Sequence, residues 1–333
     1  MVVKITDVAK YANVSPSAVS RVIHNSGYIS KGKREIIKKA LKELGYIPNQ
    51  IAQGLKTQNT KMIGHILPST YPNPFFSGIS YGVDLEASNS GYHMLSLFSY
   101  GNAERESGLI DQMISRMVDG IIFTGVISTE NVKKVIDLGI PVIMVERTLG
   151  IEGVDKILVD NIEGAYSATD YLIRNNHKNI GFIGVNPIKD VEKERYEGYI
   201  NALKSSNINI QEENIKFTED YTAEDGYRLV GEMMNGKSIP SAIFVTSDRL
   251  VIGILQYLYK NNIRVPDDIS IVGYDNSFAE VFSPKITTID NPTEEMGKAA
   301  VKLLIDRKQN KESSPKTLVL HTTIIERESV KLL

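Results

Sequence analysis

The chain has 333 residues, of which 42% are hydrophobic and 23% charged, and a formal net charge of −2. That length exceeds what one hydrophobic core usually fills, and that composition is ordinary for a globular protein. Cysteine is absent, which excludes disulfides, thiolate metal sites and cysteine nucleophiles, and the five histidines (His24, His65, His93, His177, His321) show no metal-ligand spacing. No apolar run approaches the roughly 20 residues of a membrane span, and no signal-like segment follows Met1. No membrane contact is expected, and the cytoplasm is the expected compartment.

The charge is unevenly spread. Residues 1–60 hold ten Lys and Arg against three Asp and Glu, a formal +7, so the remaining 273 residues carry −9. A compact basic head on an acidic body is the electrostatic footprint of a protein that docks on phosphate. In this head, Thr6 followed by Val8, Ala9 and Ala12 predicts an N-capped short helix with one apolar face, closed by Asn13. Ser15-Pro16 restarts a helix, with serine as the cap and proline in the first turn, where a missing N–H costs nothing. Ala18, Val19 and Val22 form its buried stripe, while Ser17, Ser20, Arg21 and His24 face outward. Two helices joined by about three residues form a helix-turn-helix, whose second helix is offered to the DNA major groove. A third helix runs from a Ser30 cap with Ile36, Ile37, Ala40, Leu41 and Leu44 inward, and stops at Gly45. Its Lys31, Lys33, Lys38, Lys39 and Lys42 form an outward phosphate rail. The following segment around Gly54 is too short to hold as an isolated helix, and its glycine subtracts about 1 kcal/mol relative to alanine. It suits a conditional helix or a plain linker.

From Lys61 onward, apolar runs alternate with amphipathic stretches. Predicted strands are 62–67, 93–98, 120–124, 142–145, 157–159, 180–185, 215–218, 242–246, 269–273, 287–289 and 318–326, with helices between them, for example 77–90, 104–117, 162–175, 192–205 and 223–234. Such alternation predicts an α/β fold of parallel sheets covered on both faces, and the strands are too many for one small sheet, so two lobes are expected. Ligands in open α/β sheets bind beyond the carboxyl ends of the strands. There lie Phe75 and Phe76, a polar loop ending at Arg195, Tyr221, Ser247-Asp248 and Asp275. Aromatic faces, an arginine fork and carboxylates suit a sugar. Phe76 also reads as core, and Asp160 and Asp248 as helix caps. No GxxxxGK[ST], GxSxG or HExxH motif occurs, so neither enzymatic activity nor a cofactor is expected.

The run ITDVAKYANVSPSAVSRVIHNSGYISKGKREIIKKALKELGYIPNQIAQGLKTQNTKMIGHILP resembles the amino-terminal signature of the LacI/GalR family of bacterial transcription regulators, and the likeness continues along essentially the whole chain. The resemblance implies a helix-turn-helix domain over 1–47, a hinge helix and linker over 48–60, and an effector-binding and dimerisation domain over 61–333. This last domain would have the periplasmic-binding-protein type I architecture, with one lobe of about 61–160 and 290–320 and another of about 161–289 and 321–330. The DNA-contacting positions it implies are Thr6, Ser15, Pro16, Ser17, Ser20, Arg21, His24, Asn25, Tyr46, Asn49, Ala52, Leu55 and Lys56. Leu55 matches the leucine that wedges into the minor groove. Effector positions carried over are Phe75, Phe76, Glu146, Arg147, Asp160, Arg195, Tyr221, Ser247, Asp248 and Asp275. Pro16, which has no side-chain donor, and Gln53, uncharged where many members are basic, depart from the family pattern. Lys189 and Val191 stand where purine-binding members use arginine and threonine. The expected protein is thus a homodimeric repressor of carbohydrate-utilisation genes, binding double-stranded operator DNA under control of a sugar or sugar phosphate. A regulator answering to a protein corepressor, or a transport-type sugar-binding protein, is the alternative.

Overall fold

A computed structural model of the chain describes residues 3–46, 59–69, 73–187, 190–310 and 312–333. The chain divides into two units, Met1–Thr60 and Lys61–Leu333.

The first unit contains α1 (Ile5–Tyr11), α2 (Pro16–Ile23) and α3 (Lys31–Glu43). Val8, Ala9, Ala12, Val19, Val22, Ile37 and Ala40 form its buried core. Asn13 and Gly45 close α1 and α3 with φ of 52° and 59°, the left-handed conformation that asparagine and glycine tolerate best. Two expectations need correction. Thr6 lies inside α1 rather than at its cap; the start is held by Asp7, whose carboxylate accepts the Lys4 backbone N–H at 2.9 Å and sits at the positive end of the helix dipole. Ile36 is 53% exposed, because the buried stripe of α3 starts at Ile37 and recurs at Ala40, Leu41 and Leu44, which turns its neighbour outward. The expected hinge helix lies outside the described residues.

The second unit holds twelve strands in its described residues: β1 (Met62–Leu67), β2 (His93–Phe98), β3 (Gly120–Thr124), β4 (Val142–Val145), β5 (Asp155–Val159), β6 (Ile180–Val185), β7 (Ile215–Thr218), β8 (Ala242–Val245), β9 (Ser270–Asp275), β10 (Thr287–Asp290), β11 (Thr317–Leu320) and β12 (Thr323–Ile325). They form two six-stranded sheets, ordered β11-β5-β4-β3-β1-β2 and β12-β10-β9-β8-β6-β7. All pairings are parallel except β10 with β12. Every residue of β6 is buried, as expected of a strand covered on both faces, and its apolar run reflects this.

On the first sheet, α4 (Pro74–Asn89) and α11 (Thr293–Gln309) cover one face, and α5 (Ala103–Ser115) and α6 (Thr129–Asp137) the other. On the second, α7 (Asn161–Arg174) and α8 (Asp190–Ser205) lie opposite α9 (Ala223–Met234) and α10 (Asp248–Lys260). Gly82 and Gly297 let α4 and α11 meet backbone to backbone; a Cβ on Gly82 would fall 2.1 Å from the Glu294 carbonyl oxygen. The chain passes between lobes three times, after β5, after β10, and between β11 and β12. The single strand expected over 318–326 is therefore two strands in different sheets, broken at His321-Thr322.

Candidate functional site

In the head, Ser15 caps α2, its hydroxyl accepting the Ala18 N–H at 3.2 Å, and its oxygen lies 2.9 Å from that of Ser17. Thr6, Ser17, Arg21 and His24 are exposed, whereas Ser20 and Tyr46 are half-buried. Asn25, in the left-handed conformation (φ 48°), accepts Arg34 at 2.5 Å and so fixes the turn after α2. Arg21 lines an open groove of about 720 Å³ together with Lys10, Asn13, Ser15, Tyr28 and Lys33. Lys38 and Lys39 approach Glu35 and Glu43 only at 3.7 and 3.8 Å on the surface, pairs worth ~0–1 kcal/mol that an incoming phosphate can replace. Asn49, Ala52, Leu55 and Lys56 lie outside the described residues.

The second candidate region is where the chain passes between the two sheets. On the second lobe it is built around Arg195 of α8, which is 5% exposed. Its Nε donates to Asn161 Oδ1 at 3.2 Å, and its Nη1 to Glu192 Oε1 at 3.3 Å and the Thr246 carbonyl at 2.7 Å. Nη2 donates to Asp275 Oδ1 at 3.4 Å, and the guanidinium carbon lies 3.9 Å from the centre of the Tyr274 ring. Burial opposes the arginine's charge, but Asp275 and Glu192 more than offset it and raise its pKa. Four of its five N–H groups are thus committed to the fold among the described residues.

Glu192, fully buried, is as densely bonded. It accepts Tyr221 at 2.7 Å and Arg195 on Oε1, and the Val185 N–H at 3.2 Å and Thr246 hydroxyl at 2.8 Å on Oε2. Asp275 ends β9 with φ of 95°, a strained conformation for a residue with a side chain. Ser247 donates to its Oδ2 at 3.0 Å and Asn291 to its Oδ1 at 3.0 Å. Burial raises the Asp275 pKa despite Arg195, Ser247 and Asn291 beside it. Burial together with the Glu192 carboxylate raises the Tyr221 hydroxyl well above its ordinary value.

The first lobe contributes Glu146 and Arg147, which follow β4. Glu146 has φ of 75°, and its Oε1 lies 3.6 Å from Arg147 Nε. Glu146 Oε2 and Arg147 Nε are buried without hydrogen-bond partners among the described residues, as is Oδ1 of Asn291 at the second crossing. Burial raises the Glu146 pKa against the pull of Arg147 and Arg195, while Glu146 raises that of Arg147, with Tyr221 and Glu192 adding to it from the other lobe. Phe75 and Phe76 meet edge to face at 5.3 Å; Phe75 is 7% exposed within the first lobe's core, and Phe76 packs against that core half-buried. Of the pair, Phe75 is therefore the core residue.

Two expected site residues bond within the fold. Asp160 caps α7, accepting the Glu163 N–H at 2.9 Å. Asp248, fully buried, accepts Thr288 at 3.0 Å on Oδ1 and the Ser277 and Phe278 N–H groups at 2.8 and 3.4 Å on Oδ2. Burial, then the nearby Asp275, pushes its pKa up to about 7. Sequence reasoning missed Glu192, Asn161, Asn291 and Thr246. Glu192 carried a signal, being a carboxylate three residues before Arg195 on one helix face. Asn161 and Asn291 each stand just past a strand that ends at a crossing, a cue available only once the topology is known. Among the described residues no cluster of three His, Asp or Glu could hold a metal ion, and no helix is long and apolar enough to cross a membrane.

Residues 4–49 match the model of bacterial regulatory proteins of the lacI family, and residues 169–330 match that of a periplasmic binding protein-like domain. The HTH-type transcriptional repressor PurR of Actinobacillus pleuropneumoniae serotype 3 (strain JL03) is 32% identical, with 98% of each chain covered. Among solved structures, a complex of the transcriptional regulator CelR with cellobiose superposes with a TM-score of 0.75 at 30% identity, covering 98% of this chain and 99% of that one. The lac repressor dimer bound to operator and the anti-inducer ONPF gives 0.89 at 23% identity over 99% and 100%, a likeness of fold. With its helix-turn-helix head and its two-lobed α/β body, the chain belongs to the lacI family of bacterial regulatory proteins and is a DNA-binding transcription repressor.

Proposed function

We propose that this repressor acts in the cytoplasm as a homodimer on a near-palindromic operator, and that a sugar bound between its lobes sets its affinity for DNA. One helix-turn-helix reads only a half-site, and two-fold proteins read two half-sites about one helical turn apart. The observation that carries the effector reading is that Glu146 and Arg147 of one lobe lie within electrostatic reach of Arg195 of the other, with Asp275 beside it. A ligand engaging both sets would couple the angle between lobes to the separation of the hinge segments, and so to the DNA-bound state. The CelR–cellobiose relative supports a sugar. A purine-related ligand is the second reading, favoured by the PurR relatives; against it, Val191 is a buried apolar residue where the purine-binding pattern has a polar one.

The test is anisotropy of the full chain on duplexes selected from a random pool, at fixed salt, with and without D-cellobiose, D-glucose or hypoxanthine. A change in affinity of at least tenfold with one of the sugars supports the proposal, whereas a response to hypoxanthine alone replaces it. In the same assay Leu55→Ala is expected to weaken specific binding more than non-specific binding, each kcal/mol lost being about a fivefold change. Equal loss on both DNAs would remove the wedge.

A further inference from the structure

We propose that the effector is an uncharged polyhydroxyl compound, and that the cleft itself rejects phosphorylated and carboxylated sugars. This rests on the sugar reading above and narrows it. The fold leaves several polar atoms unused. Around the crossings, two buried acceptors, Glu146 Oε2 and Asn291 Oδ1, lack hydrogen-bond partners, against one such donor, Arg147 Nε. To these Arg195 adds the last N–H on its Nη2, and Arg147 the N–H groups of its Nη1 and Nη2, which make no hydrogen bond among the described residues.

Buried polar atoms are rarely left unpaired in native proteins, so a cluster of them marks where another molecule or water belongs. The unused atoms call for a partner that both donates and accepts. Neighbouring hydroxyls do this, giving to Glu146 and Asn291 while taking from Arg147 and Arg195. A phosphate or carboxylate group placed at Glu146 and Asn291 only accepts, and would leave both of these acceptors unpaired.

Charge points the same way. Among the described residues Glu146, Glu192 and Asp275 face only two cations, Arg147 and Arg195, and both arginines already lie beside carboxylates. Burial raises the pKa values of Glu146 and Asp275, so the surroundings already resist the negative charge they hold. Another anion would add to that repulsion. A hydroxyl donating to Glu146 instead favours its ionised form, so binding expels a proton and weakens as pH falls through the raised Glu146 pKa.

The experiment is thermal unfolding of the full chain with matched pairs, D-glucose against D-glucose 6-phosphate and D-ribose against D-ribose 5-phosphate, with D-cellobiose and hypoxanthine alongside. Inorganic phosphate is titrated at constant ionic strength on the wild type and on Arg147→Gln. The expected result is that any stabilisation comes from the uncharged member, its phosphate ester binding at least tenfold more weakly, and that inorganic phosphate acts equally on both proteins. A phosphate ester binding as tightly as its parent would overturn the proposal. So would a saturable stabilisation by inorganic phosphate that Arg147→Gln removes. Stabilisation by hypoxanthine with no response to any sugar would instead sink the sugar reading on which the proposal rests.

Discussion

The two lobes contribute to the region between them on opposite plans. On the second lobe, Arg195, Glu192, Asp275, Ser247 and Thr246 satisfy one another almost completely. On the first, Glu146 and Arg147 meet only at 3.6 Å and leave buried atoms unpaired. A saturated buried network stabilises and fixes geometry, whereas unsatisfied atoms cost stability until a partner arrives. On the proposed reading, the second lobe mainly holds the site in shape, and the first supplies most of the atoms left open for a ligand.

The largest expected effect comes from breaking the saturated half. Glu192→Gln sets an amide N–H against donors that the carboxylate now accepts, and it weakens the compensation of Arg195, so a loss of about 3–5 kcal/mol in unfolding free energy is expected. Arg195→Ala belongs to the same class, because it strands Glu192 and Asp275 as buried carboxylates. It is therefore a poor probe of ligand binding, and a measured loss below about 1 kcal/mol for either variant would show that the network carries little stability.

Asp248 offers a smaller effect with a defined sign. Its folded pKa, about 7, lies above that of an unfolded aspartate, so the folded state holds the proton more tightly between roughly pH 4 and 7. Its contribution is present in full below that window and is lost as pH rises through it. Asp248→Asn preserves the pattern, with its oxygen accepting from Ser277 and Phe278 and its amide donating to Thr288. The variant is expected to remove a fall of roughly 2–4 kcal/mol across that window. An unchanged pH profile of unfolding would place the titration elsewhere.

The contrast also explains what could be read from the chain. Strands such as β6 were legible because parallel strands buried on both faces are written as near-continuous apolar runs, and β1 keeps that pattern apart from the buried His65. The break between β11 and β12 was not, since Thr317–Ile325 is rich in β-branched residues throughout and the interruption at His321-Thr322 is imposed by the passage between sheets. Arg195 and Asp275 stood out because they lie at or beyond the carboxyl ends of predicted strands. Asn161 and Asn291 were missed because their partners lie far away in sequence, Asn161 bonding to Arg195 across 34 residues, whereas Glu192 had a local cue in Arg195 and only its bond to Thr246, across 54 residues, was hidden. For Asp160 and Asp248 the sequence left both readings open, since a carboxylate at a helix start looks the same whether it meets a ligand or a backbone N–H.

The unfolding free energy of Glu146→Gln, measured beside that of Glu192→Gln at neutral pH without ligand, tests the division most directly. The first-lobe variant removes a buried, poorly paired charge and is expected to change stability by less than about 1 kcal/mol or to raise it, while the second-lobe variant loses about 3–5 kcal/mol. Equal losses in the two variants would contradict the account, because Glu146 would then be part of the fold's own network rather than a group held open for the effector.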